Sequence, residues 1–94
     1  RVAPGAQTDL ERLFDFLAEN DLAAAQRARA AIEKAYGFIE AFPFAGRKVD
    51  AGNPFLREAV ISFGNAGYVA LFEVDDDETV TILAFRHQRE GDYY

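Results

Sequence analysis

Leu10, Leu13, Phe14 and Leu17 recur at the spacing of one face of an α-helix, with Glu11, Asp15 and Glu19 elsewhere on the wheel. The pattern predicts a helix that runs to about Glu19. Thr8 and Glu11 stand three residues apart, the spacing of a capping box in which each side chain satisfies a free backbone donor, so the helix is predicted to begin there. Residues 1–6, which include Pro4 and Gly5, read as the tail of an edge strand that then turns. Asn20 and Asp21 are both good helix caps, and the stretch from Leu22 to Ala41 is rich in alanine, the strongest helix former, until Pro43 stops it. Its stripe of Ala25, Ala28, Ile32, Ala35, Ile39 and Phe42 is small at the start and large at the end. The two segments therefore predict an αα-hairpin with close approach near its turn. Arg29 and Glu33, one turn apart on the outer face, form a candidate ion pair worth only about 0.3 to 0.5 kcal/mol.

Across residues 42–54 the periodicity vanishes, and Pro43, Gly46, Gly52 and Pro54 mark an irregular connection. Three runs of strand length and composition follow at 56–63, 68–74 and 79–85, separated by polar turns at 64–67 and 75–78. They predict an antiparallel meander, and with the N-terminal strand and the helical hairpin they place the fold in the α+β class. In the middle run both alternating sets are apolar, Tyr68, Ala70 and Phe72 against Val69 and Leu71. A strand with one wet face alternates with polar residues, so the second sheet face is expected to be covered, by the chain's own C-terminal residues or by a partner.

Half of the 94 residues are apolar, which suits one domain over residues 1–94 burying roughly two-thirds of its unfolded surface. The absence of cysteine excludes a disulfide framework, thiolate zinc sites and a cysteine nucleophile, and is compatible with a reducing compartment. No apolar run approaches the roughly 20 residues of a membrane helix, and no basic-then-apolar segment opens the chain. A cytoplasmic protein without membrane association is expected. With no methionine present, the initiator has been removed or the true start lies upstream of Arg1. The net charge of −6 repels a phosphate backbone, so direct nucleic-acid binding is not expected and the partner should be a protein.

Little points to metal, cofactor or hydrolytic chemistry. The run Asp75, Asp76, Asp77, Glu78 lacks the alternate spacing, glycine and distant glutamate of a calcium loop and reads as a solvated turn. A zinc site would have to be built around one histidine and carboxylates or water, which is uncommon. No metal and no cofactor are expected. Gly46-Arg47-Lys48 has neither the length of a phosphate-binding loop nor a following helix, and Ser62, the only serine, lies in no nucleophile-elbow motif.

Ala6, Asp9 and Leu10 in the first helix, Phe42-Pro43-Phe44-Ala45-Gly46-Arg47 after the second, Leu56-Arg57-Glu58 opening the meander and Arg86-His87-Gln88-Arg89-Glu90 at its end occur in an order that resembles the RelE/ParE superfamily of toxins. The resemblance spans essentially the whole chain, and the long alanine-rich second helix and the ending look more like the ParE branch. It implies a small α+β toxin neutralised by a ParD-like ribbon-helix-helix antitoxin whose C-terminal part wraps it. ParE-like toxins act on DNA gyrase, whereas RelE-like relatives cut messenger RNA on the ribosome, and fold alone does not separate the two.

Ribosome-dependent cleavage needs cations to hold the phosphate and an acid or base for the 2′-hydroxyl and leaving oxygen. Arg57, Arg86 and His87 are the residues that would carry it, although Glu90, Asp92 and the overall acidity oppose RNA approach. The favoured expectation is a gyrase-directed binding protein with no catalytic residues, in which Arg86, His87, Arg89 and Tyr93 contact the target, arginine and tyrosine being enriched in interface hot spots. A toxin fold that has lost potency remains a third possibility. Nine phenylalanines in so short a chain leave some to line a groove. Leu13, Phe16, Leu17, Phe44, Phe63 and Tyr68 are assigned to antitoxin contact, through a helix laid in a groove or a strand added to a sheet edge.

Overall fold

Proline lacks a backbone N–H and has its φ fixed near the helical value, so it suits the first turn of a helix. In the computed structural model, which describes residues 1–63 and 66–87 and only the backbone of Phe63, Ala66 and His87, helix α1 (Pro4–Asn20) begins on Pro4. That start is four residues earlier than the capping-box spacing predicted. Thr8 is already inside the helix, and its hydroxyl donates back to the Pro4 carbonyl at 3.1 Å instead of capping the end. The expected N-terminal strand is correspondingly reduced to Val2, which makes a single parallel bridge to Ile82. The Ala3 N–H donates to the Ile82 carbonyl and the Ile82 N–H to the Arg1 carbonyl, both at 2.8 Å.

Asp21 alone separates α1 from α2 (Leu22–Ala41). Its backbone N–H closes the first helix on the Leu17 carbonyl, while its carboxylate accepts from the Ala24 N–H at 3.2 Å and caps the second. Ala25, Ala28, Ile32 and Ile39 are buried as the stripe predicted. Phe42 departs from the stripe and is 61% exposed, because the helix ends at Ala41 and Phe42 leaves helical backbone geometry. Arg29 lies with its guanidinium 4.7 Å from the centroid of the Phe14 ring.

The sheet has four antiparallel strands in chain order, β1 (Arg47–Asp50), β2 (Asn53–Phe63), β3 (Ala66–Val74) and β4 (Val80–His87). Strand β1 and the preceding 3₁₀ turn (Pro43–Ala45) occupy the connection that the sequence marked as irregular. So short a strand carries no periodicity of its own and forms because Arg47 and Lys48 pair with Glu58 and Arg57 of β2. The β3–β4 turn falls on the predicted acidic run. Asp76 accepts from the Glu78 N–H at 2.8 Å, a bond that lowers its pKa, and Asp75 accepts from the Thr81 hydroxyl.

Both helices lie on one face of the sheet, α1 over β4 and α2 over β2, and Ile61, Ala70, Phe72, Ile82 and Phe85 pack beneath them. Ile82 and Phe85 are three residues apart in one strand yet share that face, because Leu83 is an extra residue between the pairs Phe72↔Ile82 and Leu71↔Ala84. Past this bulge, Ala84 and Arg86 point to the opposite face. At the bulge the buried carboxylate of Asp9 reaches across from α1, accepts from the Phe85 N–H at 3.0 Å and meets Arg12 at 3.3 Å. The far face is covered at its centre, as the doubly apolar β3 predicted. Val69 is wholly buried and Ala84 2% exposed, although neither belongs to the core under the helices.

Candidate functional site

Two surfaces stand out because, among the described residues, each sheet edge is left unpaired over part of its length beneath a helix. Strand β1 covers β2 only as far as Glu58, so residues 59–63 form an open half-edge. Beside it, α2 presents Phe38 and Phe42, 55% and 61% exposed with ring centroids 5.5 Å apart. Helix and edge together bound a groove of about 490 Å³, lined by Lys34, Phe38, Phe42, Val60, Ile61 and the rim residue Arg47 among others. Gly46 forms part of its floor, where an added Cβ would lie 2.8 Å from Phe72 Cζ, so only glycine lets the chain pass this close. On the other side α1 and β4 bound a second groove of about 400 Å³, lined by Asp9, Leu13, Phe16, Tyr68 and Phe85 and edged by Arg86.

The residues assigned to antitoxin contact therefore fall apart in space. Leu13, Phe16 and Tyr68 share the α1–β4 groove, Leu17 lies half-buried further along α1, and Phe44 stands on the 3₁₀ turn against Phe55. The side chain of Phe63 lies outside the described residues. The α2–β2 groove was not anticipated from the sequence. Its signal was Phe38, an aromatic that falls off the buried stripe of α2 and one turn before Phe42.

The cationic candidates also separate. Arg57 lies on the helix-facing side of the sheet, in register with Phe72, and its guanidinium is spent on backbone carbonyls. Nε donates to Pro54 O at 2.7 Å, and Nη1 to Gly46 O at 2.9 Å and Phe44 O at 3.4 Å. Arg86, in register with Val69, lies on the opposite face. There Glu58 bridges two arginines, 2.6 Å from Arg47 Nε and 4.0 Å from Arg86 Nη2. The backbone of His87 pairs with Tyr68, its side chain is not described, and Arg89 and Tyr93 lie outside the described residues. Tyr36, whose hydroxyl burial pushes up to about 12, is a neutral group at physiological pH between the helices and the sheet.

A helical hairpin on one face of an antiparallel sheet, with half-edges left open among the described residues and flanked by exposed aromatics, defines a small α+β protein. The model of the ParE toxin of type II toxin-antitoxin system, parDE, matches residues 1–91, and the chain belongs to this toxin family. No curated protein matches the chain. Membership implies an antitoxin partner. Among the described residues no helix is long and apolar enough to cross a membrane.

Proposed function

We propose that this chain is a toxin that inhibits DNA gyrase by binding it, and that a ParD-like antitoxin neutralises it by laying an extended segment along the open half of β2. The observation that supports a binding role over a nuclease role is the placement of the arginines. Arg57 and Arg86 sit on opposite faces of the sheet, Arg57 bound to three carbonyls and Arg86 beside Glu58, so they do not converge on one phosphate. Transition-state stabilisation requires donors pre-aimed at a single developing charge.

The α2–β2 groove fits an added strand. Backbone groups along residues 59–63, unpaired on that edge among the described residues, offer a ladder, and Phe38, Phe42 and Ile61 offer apolar contacts for alternate side chains. A second copy of this chain fits the edge poorly. Strands pair about 4.8 Å apart while packed helices need about 8 to 10 Å, and α2 already lies over the edge strand. Exposed Lys34 at the wall favours an acidic residue in the occupant.

A supercoiling and cleavage-complex assay with purified gyrase, with and without antitoxin, tests the target. Inhibition that antitoxin relieves is the expected result. Unchanged supercoiling by a folded, antitoxin-competent chain would remove gyrase as the target and direct the test to messenger RNA cleavage on the ribosome.

A further inference from the structure

Glu58 shows which backbone groups of β2 look outward. Its carbonyl faces β1, 3.0 Å from where a Cβ on Gly46 would stand, and Glu58 is paired there with Arg47. Successive residues of an antiparallel strand hydrogen-bond to its two sides alternately. The β2–β3 register runs unbroken from Leu56 to Phe63, so Val60 and Ser62 turn their N–H and C=O the same way as Glu58, while Ala59 and Ile61 face Ala70 and Tyr68 of β3. Strand β1 goes no further than Glu58. Among the described residues, the open half-edge is therefore a short ladder carried by Val60 and Ser62. The opposite edge of the sheet is obstructed. On β4, Val2 bridges Ile82 and the Asp9 carboxylate takes the Phe85 N–H, an inward-pointing charge of the kind that closes an edge to added strands.

Side chains of an added strand alternate between the two faces of the sheet. The position beside Ile61 shares its helix-facing side and opens into the groove, where Ile61 is buried and Phe38 exposed. Positions beside Val60 and Ser62 face away from the helices. Phe42 leads through the 3₁₀ turn into Arg47, the partner of Glu58, and so marks the Glu58 end of the groove. Lys34, about two turns earlier in α2, stands toward the Phe63 end. The charges at the two ends are differently placed. Arg47 already meets Glu58 at 2.6 Å, whereas Lys34 is exposed and in no ion pair among the described residues.

Taking from the proposed function that the antitoxin lies along this edge, we infer that it is recognised there by a short extended segment of stated chemistry. The segment bonds to the main chain of Val60 and Ser62, sets one apolar side chain beside Ile61 and against Phe38, and carries an acidic residue at the next helix-facing position, on the Lys34 side. So short a ladder fixes register, and the two helix-facing side chains supply the specificity.

The test uses the full chain and the ParD-like antitoxin encoded with it, with amide hydrogen exchange read residue by residue and antitoxin affinity measured for purified variants. In the free chain the Val60 and Ser62 amides should exchange faster than those of Ala59 and Ile61, and antitoxin should slow them by about tenfold or more. Val60→Pro removes an N–H that faces outward, so it should fold and lose antitoxin affinity by about tenfold or more. Lys34→Glu and Phe38→Asp change exposed side chains and should fold and lose affinity by about tenfold, the Lys34 loss shrinking at high salt. Bound antitoxin that leaves Val60 and Ser62 exchanging as fast as before overturns the inference and strand addition with it, while the toxin–antitoxin pairing stands. Protected amides with wild-type affinity in Lys34→Glu overturn the acidic residue, and in Phe38→Asp the apolar one, while strand addition stands. Should Val60→Pro not fold, Ser62→Pro and the exchange of the wild-type chain decide the same question. A wild-type chain that binds no antitoxin removes the neutralisation reading and this inference together.

Discussion

Asp9 shows how one side chain can settle the placement of a helix. It lies on α1, 5% exposed, and its carboxylate takes the Phe85 N–H near the bulge of β4, where no strand among the described residues accepts it. A buried backbone donor left unpaired costs about 1 to 3 kcal/mol, and an unpaired carboxylate costs more, so each group removes the penalty of the other. Asp9→Ala should lower stability by about 2 to 3 kcal/mol, read as a shift in the urea midpoint with an unchanged slope. Arg57 does comparable work at the surface, turning a cation that looks catalytic in the sequence into the clasp that holds the 3₁₀ turn against β2. In both cases the residue type was visible in the chain, but the partner lay 76 residues away for Asp9 and 11 for the Gly46 bond of Arg57, beyond any local pattern.

Among the elements, those decided by local preference agree best between sequence and structure. Helix α2 has the predicted bounds because the alanine content, the Asp21 cap at its start and Pro43 just beyond its end are each local signals. The first helix start was misjudged because two local signals competed and Pro4 at the first turn prevailed over the Thr8–Glu11 spacing. The two sites should respond differently to mutation. Asp21→Ala should cost about 1 kcal/mol, the usual value of a lost cap, while Thr8→Ala should stay within about 0.5 kcal/mol because its hydroxyl only bonds back within the helix. Thermal melts of the two variants at matched pH check this, and a larger loss at Thr8 would restore the capping-box start. Strand β1 was missed for the opposite reason, since four exposed residues between turn signals acquire strand geometry only by pairing with β2.

For the molecule as a whole, the sheet leaves the α2–β2 groove open beside Phe38 and Phe42 on a body of net charge −6. A partner that binds only the folded chain stabilises it by mass action, so antitoxin at a hundred times its dissociation constant should add about 2.7 kcal/mol, and the melting temperature should rise with antitoxin concentration. A melting temperature independent of antitoxin would show that the two do not associate in the folded state. The fold class, the bounds of α2, the turn at 75–78 and the double burial of β3 were all determined by the sequence, because helix propensity, turn chemistry and period-two patterning act over a few neighbouring residues. Only the tertiary structure decided where the chemistry points. The extra residue Leu83 turns Arg86 to the face opposite Arg57, and the short reach of β1 leaves half of β2 open beside Phe38 and Phe42. Face and edge depend on the register between strands, which is set by packing across the whole sheet.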